Sequence, residues 1–313
     1  MEEGGEYSHQ PVLLDEALKA LDITAEGIYL DGTYGRGGHS AAILERLNQQ
    51  GRLLAIDQDP DAVSAAKRRF EGEQRFSIYQ CSFAALKQLT DSLDLTGRID
   101  GLLLDLGVSS PQLDNPQRGF SFIKDGPLDM RMDHSQEPSA AQWLARIDES
   151  KLAEVIKLYG EERYARRIAK AIVAARKEQP LTTTLQLADL ISTAIPRRER
   201  QKHPATRTFQ AIRIVINNEL QALSEALRQS LSVLRGGGRL VVISFHSLED
   251  RIVKRFIRNH STAAAGTPRG LPVVEDMLVV QLRALGRVRR ATKAECQRNP
   301  RARSAILRTA EHL

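Results

Sequence analysis

The stretch Tyr29-Leu30-Asp31-Gly32-Thr33-Tyr34-Gly35-Arg36-Gly37-Gly38-His39-Ser40 decides how the rest of this chain is interpreted. The apolar run Ile28 to Leu30 has β-strand character, and Ala41 to Leu47 has apolar residues at helical spacing. A carboxylate therefore closes a strand, glycines form a turn, and Ser40 opens a helix. This order is typical of a nucleotide-type cofactor site, because glycines admit a ligand close to the backbone and a helix start offers free N–H groups.

The acid in front of the glycine turn bears on which cofactor binds there. A dinucleotide site places a pyrophosphate at the helix N-terminus, and the negative charge of Asp31 would repel that group. The same carboxylate suits the ammonium group of a methionine moiety. The turn thus favours S-adenosylmethionine over NAD, and NAD stays open as the alternative.

Two later predicted strands also end in acids. Asp57 closes the strand from Arg52 and is placed to accept hydrogen bonds from both ribose hydroxyls of an adenosine cofactor. Asp105 is the polar residue near the end of an apolar strand that starts at Ile99, and such a strand is typically buried on both faces of a parallel sheet. Since ligands bind at the carboxyl ends of parallel strands, we expect both acids at one pocket.

Two further side chains follow predicted strands, and each fits more than one role. Phe83 follows the strand from Arg75 to Gln80, and either packs on an adenine or belongs to the core. His246 follows the strand from Leu240 to Ser244, and fits proton handling, a base contact or a structural hydrogen bond.

The middle of the chain is purely helical in pattern, which indicates an all-helical domain inserted after the fourth strand of a Rossmann-like α/β sheet. The predicted domains are a discontinuous cofactor-binding domain, residues 1–113 and 206–313, and an inserted substrate-recognition domain, residues 114–205. The helices predicted in the insertion are Ala140 to Arg146, Glu149 to Tyr159, Glu161 to Lys177 and Thr184 to Ile195. The elements predicted after it, besides the strand before His246, are helices Thr206 to Asn217, Glu219 to Leu234 and Leu248 to Asn259, and strands Val279 to Arg283 and Ser304 to Thr309.

The chain of 313 residues is basic, with a formal net charge of +6, and a basic balance favours a nucleic-acid partner. The basic side chains concentrate on one insertion helix and on the connection after it, where phosphate contacts and a merely solvated face are both open. The residues are Arg163, Arg166, Arg167, Lys170, Arg176 and Lys177, then Arg197, Arg198, Arg200, Lys202, His203 and Arg207.

Several classes of protein are not indicated. No apolar run approaches membrane-spanning length, and the acidic N-terminus lacks the apolar core of a signal peptide, so we expect a cytoplasmic protein without a membrane partner. Cys81 and Cys296 give neither a disulfide framework nor metal-ligand spacing, so no metal is expected.

The assembled set resembles class I S-adenosylmethionine-dependent methyltransferases and, more closely, the bacterial 16S ribosomal RNA cytosine-N4 methyltransferase family. The matching stretches run along the whole chain and are together highly specific. They are His9 to Leu14, Asp31 to Ser40, Asp105 to Asp114, Arg118 to Phe122, Asp125 to Met132, His203 to Arg213, Ile243 to Arg251 and Asn299 to Ser304.

The resemblance implies methylation of the exocyclic N4 of a decoding-centre cytidine in 16S rRNA within the small ribosomal subunit. It implies S-adenosyl-L-methionine as cofactor and no metal, and it leaves a homodimer open. The cofactor contacts that it implies are Gly37, Gly38, His39, Asp57, Phe83, Asp105 and Gln112. Asp31 is added to these contacts by the charge argument above.

A cytosine amine is a poor nucleophile, so the site has to hold N4 in line with the methyl group and offer an acceptor to an N4–H. Ser110 of the Ser109-Ser110-Pro111 loop, or a backbone carbonyl there, is the first candidate acceptor, and Asp105 is the second. The loop serines equally fit a plain turn. Stacking faces for a base that has left its stack are predicted at Phe120, Phe122 and Phe245, with core packing as the alternative.

Three other functions compete with this interpretation. A DNA N4-cytosine or N6-adenine methyltransferase uses the same chemistry, although the loop and the insertion fit it less well. A NAD-dependent oxidoreductase would use the same strand–turn–helix unit. A non-catalytic RNA-binding factor would keep the fold without the reaction.

Overall fold

The structure, a computed structural model, describes residues 11–196, 203–263 and 280–313. In these residues the strands are β1 Ile28–Asp31, β2 Arg52–Asp57, β3 Phe76–Gln80, β4 Ile99–Asp105, β5 Leu234–Ser244, β6 Leu282–Ala284, β7 Arg289–Arg290 and β8 Ile306–His312. The helices are α1 Leu14–Leu21, α2 Gly38–Leu44, α3 Pro60–Arg69, α4 Leu86–Ser92, α5 Ser110–Asp114, α6 Ala140–Arg146, α7 Glu149–Gly160, α8 Ala165–Glu178, α9 Thr184–Ala194, α10 Thr206–Ile216, α11 Glu219–Val233, α12 Ser247–Ser261 and α13 Lys293–Arg298.

The strands form one mixed sheet in the order β3-β2-β1-β4-β5-β8-β6, with β7 paired to β8. Strands β1 to β5 run parallel to one another, and β8 runs antiparallel to β5, β6 and β7. The strand order reverses beside β1, which is where open α/β sheets of this kind bind ligands. The prediction of a Rossmann-like sheet is confirmed.

Strands in the middle of the sheet are buried on both faces. Leu102 and Leu104 of β4 belong to the core on one face, whereas Leu103 belongs to the core on the other face. Leu240 and Val241 of β5 divide in the same way. This alternation explains why these strands are continuous apolar runs in the sequence.

The chain divides into two compact units, residues 1–107 with 222–313 and residues 108–221. The helical unit therefore reaches beyond the predicted end at residue 205. It includes α10, whose Phe209 and Ile212 lie in the same core as Ile156 of α7 and Ile168 of α8. The predicted domain boundaries at 113 and 206 both differ from these limits, and the packing of α10 accounts for the difference at the second one.

Several predicted element limits are wrong for local reasons. The third insertion helix begins at Ala165 and not at Glu161, because Glu161 has a φ of 49° and ends α7. The segment after Ser109 is the short helix α5 and not a loop. The fifth strand begins at Leu234 and not at Leu240.

Other predictions fall at the limits of the described residues. The predicted strand from Val279 is seen as β6 from Leu282, and Val279 itself lies outside the described residues. The basic residues Arg197, Arg198, Arg200 and Lys202 also lie outside them, as do His9 and Gln10. In the described part of the chain, no helix has both the length and the apolar character needed to cross a lipid bilayer.

Candidate active site

The carboxyl groups predicted to line one pocket do end neighbouring strands at one edge of the sheet. Asp31 at the end of β1 is in register with Leu103 of β4, two residues before Asp105. Asp57 ends β2, which pairs with β1 on the other side. The strand pairing therefore explains how distant acids in the sequence reach the same edge.

The turn after β1 is held in shape by Tyr34 and Gly37. Gly37 has a φ of 69°, and a Cβ added there would lie 2.4 Å from the Tyr34 ring. The Tyr34 ring itself packs against Phe70 and Phe76. A side chain at position 37 would thus be strained and would clash. Gly38 is the first residue of α2, which follows the turn directly.

The carboxyl group of Asp31 is directed into its own chain. Its Oδ2 accepts a hydrogen bond from the Ser40 hydroxyl at 2.7 Å, and its Oδ1 accepts one from the Thr33 N–H at 3.1 Å. Burial raises the pKa of Asp31, and the bond from Ser40 opposes that rise. Asp31 is 1% exposed. These bonds indicate that Asp31 organises the turn, whether or not it also attracts a cationic ligand.

Thr33 connects the turn to β4. Its hydroxyl oxygen accepts a hydrogen bond from the Asp105 N–H at 2.6 Å. The sequence interpretation did not name Thr33 or Ser40 as site residues. The sequence does contain a sign of both roles. Thr33 and Ser40 follow Asp31 by two and nine residues, and at these distances a tight turn can bring them to its carboxyl group.

His39 is buried in the first turn of α2, and its Nε2 lies 3.5 Å from Oδ2 of Asp105. Burial alone would lower the pKa of His39. The hydrogen bond that the imidazole donates to Asp105, together with the negative charge of Asp105, outweighs burial, so the pKa is raised. The other carboxylate oxygen of Asp105, Oδ1, is buried and has no hydrogen-bond donor among the described residues. A buried acceptor normally has a donor, and a bound ligand or a water molecule would supply one to Oδ1.

Asp57 accepts two backbone hydrogen bonds at the end of β2. The Gly35 N–H donates to its Oδ2 at 2.8 Å, and the Asp59 N–H donates to its Oδ1 at 2.9 Å. Burial nevertheless raises its pKa to about 6. Carboxylate oxygens hold more than one lone pair, so both remain able to accept from ribose hydroxyls.

Phe83 lies directly after β3 at the same edge of the sheet. It is half-buried against the core, and a Cβ added to Gly32 of the turn would lie 3.6 Å from its Cβ. Phe83 therefore packs against the core and also lies close to the glycine turn.

The segment that the sequence places after β4 belongs to the helical unit and forms α5. The Gln112 side-chain oxygen accepts a hydrogen bond from the Ser109 N–H at 2.9 Å, in a reciprocal capping box at the helix start. Ser110 and Gln112 are both buried. The arrangement gives Ser109 and Gln112 a local structural role beside any contact with a ligand.

His246 and Glu249 form a pair at the end of β5. Their side chains approach to 3.0 Å between Nε2 and Oε1, and Oε2 of Glu249 accepts the Phe245 N–H at 2.8 Å. The sequence interpretation named His246 but not Glu249. Glu249 could have been found from its position three residues after His246 at a helix start, because this spacing is typical of a capping box.

The predicted stacking faces divide into two kinds. Phe120 is buried in the helical core, and Phe245 is half-buried against a core of the sheet. Phe122 stacks on His203 at a ring-centroid distance of 4.6 Å. Core packing therefore accounts for Phe120.

The whole chain is similar to known methylases. A family model described as the MraW methylase family matches residues 6–313. The chain belongs to the MraW methylase family. The Ribosomal RNA small subunit methyltransferase H of Thioalkalivibrio sulfidiphilus (strain HL-EbGR7) is 59% identical over 307 residues, which cover 98% of each chain.

Solved structures cover this methylase almost completely at low identity. A protein of Clostridium thermocellum gives a TM-score of 0.46 at 9% identity, covering 98% of this chain and 100% of that chain. An rRNA methylase from Streptococcus thermophilus gives a TM-score of 0.41 at 12% identity, covering 96% and 93%.

The cofactor of this methylase is S-adenosylmethionine, as the sequence predicted. The residues at the sheet edge fit it. The ligand carries a sulfonium and an ammonium cation, and the carboxyl groups of Asp57 and Asp105 would suit such a ligand. Oδ1 of Asp105 has no hydrogen-bond donor among the described residues. Asp57, Asp105 and the turn at Gly37 are the residues that would hold the cofactor.

Proposed function

We propose that this methylase transfers a methyl group to the exocyclic N4 of a cytidine in the decoding centre of 16S rRNA, within the small ribosomal subunit. The observation that carries the proposal is the 59% identity, over 98% of both chains, to a relative named for methylation of small-subunit ribosomal RNA. The end-to-end motif match to the cytosine-N4 methyltransferases supports the choice of base and atom. A ribosomal substrate also supports a cytoplasmic location.

The chain's own residues have to compensate for a poor nucleophile. The cofactor supplies a methyl group that its sulfonium already activates. The acids at the sheet edge bind and orient the cofactor, and the fixed turn at Gly37 holds the methyl donor in one position. Holding the reacting nitrogen and the methyl group in line accounts for a large part of the acceleration of such a transfer.

The acceptor for the N4–H bond is proposed at Ser110 or Asp105. Asp105 offers a buried carboxylate oxygen without a donor in the described chain. Ser110 is buried at the start of α5, where its position is set by the Ser109–Gln112 capping box. Either group would stabilise the positive charge that develops on N4, and water takes the proton afterwards.

The helical unit supports an RNA substrate by its charge. Arg163, Arg166, Arg167 and Lys170 are exposed on or beside α8, and the Arg163 guanidinium lies 4.5 Å from the Tyr164 ring centroid. Exposed basic side chains on one helix are suited to phosphate contacts.

Transfer of labelled methyl groups tests the substrate class. Small ribosomal subunits that lack the modification, isolated 16S rRNA and double-stranded DNA are each incubated with labelled cofactor. We expect incorporation into the subunits or their RNA. Incorporation into DNA alone would replace the proposal with a DNA amino-methyltransferase, and no incorporation with intact cofactor binding would favour a non-catalytic RNA-binding factor.

The two acceptor candidates are separated by kinetics and binding together. Ser110→Ala or Asp105→Asn lowers kcat at an unchanged cofactor Kd if that side chain accepts from N4. A raised cofactor Kd at an unchanged kcat assigns the side chain to cofactor binding instead.

A further inference from the structure

The helical unit has one large apolar side chain, Ile123, that is almost fully exposed to solvent. Ile123 is 85% exposed, the largest value among the exposed large hydrophobic side chains of the described residues. It lies in the loop from Phe120 to Pro127, which we name the 120s loop. A single exposed apolar residue is ordinary on a protein surface, but Ile123 follows Phe122, whose ring stacks on the exposed His203.

Backbone and buried contacts hold the 120s loop on both sides of Ile123. Before it, the buried guanidinium of Arg118 donates to the carbonyl oxygens of Arg131 (3.2 Å) and Met132 (2.9 Å). After it, Gly126 O accepts the Thr184 N–H at 2.9 Å. These contacts anchor the chain before and after the loop, and the Ile123 side chain between them is exposed to solvent.

A flat ring lies beside this position. Phe122 stacks on His203 with 29° between the rings, and Phe209 contacts Phe122 edge-on at 4.8 Å. His203 is exposed, and its Nδ1 accepts the Ala205 N–H at 3.2 Å, which fixes the ring. The imidazole is thus a solvent-exposed ring supported by an aromatic residue.

A second exposed apolar side chain and a cation border the same loop. Leu185 is 37% exposed, and its N–H donates to Oδ1 of Asp125 at 3.1 Å, two residues beyond Ile123. Lys124 is exposed between them in the sequence. The apolar side chain and the flat ring together match the chemistry of nucleobases, whereas the exposed Asp125 carboxylate offsets the charge of Lys124.

We propose that the 120s loop and His203 contact unstacked bases of the RNA substrate. Ile123 enters the gap that a base leaves when it moves out of its stack, and the His203 ring stacks on a base. The proposal rests on the proposed function, because N4 is reached only after the cytidine leaves the stack. It adds a base-holding surface that is built from residues of the helical unit.

Steady-state kinetics with matched variants test the wedge. Ile123→Gln removes the exposed apolar side chain, and Leu158→Gln makes the same change at a 52% exposed leucine of α7 in the same unit. We expect Ile123→Gln to raise KM for small subunits by about fivefold or more, the size of one lost base contact, with an unchanged cofactor Kd. Leu158→Gln should match the wild type.

The ring is tested separately from its backbone bond. His203→Asn keeps a side-chain acceptor for the Ala205 N–H and removes the ring, whereas His203→Phe keeps a flat ring. We expect His203→Asn to raise KM for subunits and His203→Phe to restore it in large part. Equal KM values for the two variants would remove the stacking role.

Crosslinking distinguishes a direct contact from an indirect effect. With p-benzoylphenylalanine in place of Ile123, irradiation of the complex with subunits should crosslink to rRNA nucleotides next to the methylated cytidine, and the same probe in place of Leu158 should not. If the wild type methylates subunits but Ile123→Gln behaves like Leu158→Gln and the probe yields no RNA crosslink, the contact is overturned. If the wild type transfers no methyl group to a cytidine N4, the proposed function fails and the contact fails with it.

Discussion

The carboxyl group of Asp57 is expected to make cofactor binding depend on pH, because burial raises its pKa to about 6. The ionised form is the better acceptor for ribose hydroxyls, so lowering the pH through about 6 should weaken binding. Calorimetry between pH 7.5 and 5.5 should show the Kd for S-adenosylmethionine rising, toward a limit of about tenfold per pH unit for one proton. Asp57→Asn should bind weakly, with little dependence on pH in this range.

In the absence of cofactor, the Asp57 carboxyl group makes the stability of the fold depend on pH in the opposite direction to cofactor binding. The folded pKa of Asp57 lies above its unfolded value of 3.8. Its contribution to stability is therefore present below about pH 4 and is lost as the pH rises through about 6.

A cofactor Kd that stays constant from pH 7.5 to 5.5 would contradict the role given to Asp57.

The Ser40 hydroxyl is expected to be needed for the turn. Ser40→Ala removes the 2.7 Å hydrogen bond to the buried Asp31 carboxylate, and leaving such a group without its partner costs about 1–3 kcal/mol. Ser92→Ala removes an exposed hydroxyl that donates to the Leu89 carbonyl oxygen. Urea unfolding should show a clear loss of stability for Ser40→Ala and a small one for Ser92→Ala, and equal losses would refute the assignment.

At single residues, the sequence predicted the positions of the acids better than the groups that each acid contacts. Asp57 and Asp105 end their strands as expected, since an acid that breaks an apolar run is visible in one dimension. The partner of Asp31 was assigned to a ligand ammonium group, but its oxygens accept from Ser40 and Thr33. Which of several nearby donors a carboxyl group meets depends on the turn's dihedral angles, and the residue types leave these open.

Among the elements, the end of α6 depends on a side chain from α8. Nη1 of Arg176 donates to the carbonyl oxygens of Leu144 and, at 2.8 Å, Ile147. Carbonyl groups in the last turn of a helix have no partner within that helix. The sequence left a phosphate contact and a solvated face both open for Arg176, and the two hydrogen bonds give it a structural role.

Arg176→Ala is expected to loosen α6 selectively. Losing hydrogen bonds from a charged donor costs about 1.5–3 kcal/mol. Relative to the wild type, hydrogen exchange should therefore become faster for the α6 amides than for the α9 amides. Lys177→Ala, one residue away and exposed, removes a similar charge and should leave exchange unchanged. Equal effects of the two variants would mean that charge, and not capping, matters here.

Element limits were predictable where hydrophobic periodicity was strong and the cap residues were clear. Helix α6 begins after Ser139 and α9 after Thr183, and both have capping boxes that the sequence indicates. The start of α8 was missed, because the residues from Glu161 to Tyr164 suit a helix but Glu161 adopts a left-handed conformation. Tertiary packing decides such positions, and local propensity is a weak guide to them.

For the whole molecule, the excess of basic residues is expected to appear as salt-dependent RNA binding. On single-stranded RNA, log K should fall with log[salt] by about 0.7 for each phosphate that is neutralised. Arg166 and Lys170 lie one turn apart on α8, and both are exposed. If each contacts a phosphate, the double variant Arg166→Gln/Lys170→Gln should reduce the slope by about 1.4.

A matched pair on the other unit separates local contacts from net charge. Lys67 and Arg68 are exposed on α3, and Lys67→Gln/Arg68→Gln changes the total charge by the same amount. Filter binding over a range of salt concentrations should give this variant a slope close to that of the wild type. Two equal slopes would show that α8 makes no special contribution to RNA binding.

The Rossmann-like sheet and the presence of a helical insertion could be predicted from the sequence, because strands and helices have different periods of buried residues. The limit of the insertion did not, since α10 looks like any other amphipathic helix and joins the helical core through Phe209 and Ile212. The choice of base and atom came from the motif resemblance, as neither the charge nor the sheet distinguishes one methyl acceptor from another.

The most direct test of the central claim is to identify the nucleoside that receives the methyl group. Small ribosomal subunits lacking the modification are incubated with this methylase and isotope-labelled S-adenosylmethionine, and the rRNA is digested and analysed by mass spectrometry. We predict label only in N4-methylated cytidine, at one decoding-centre position, and none with Asp57→Ala. Label in 5-methylcytidine, in an adenosine or on a ribose would contradict the account, as would full activity of Asp57→Ala.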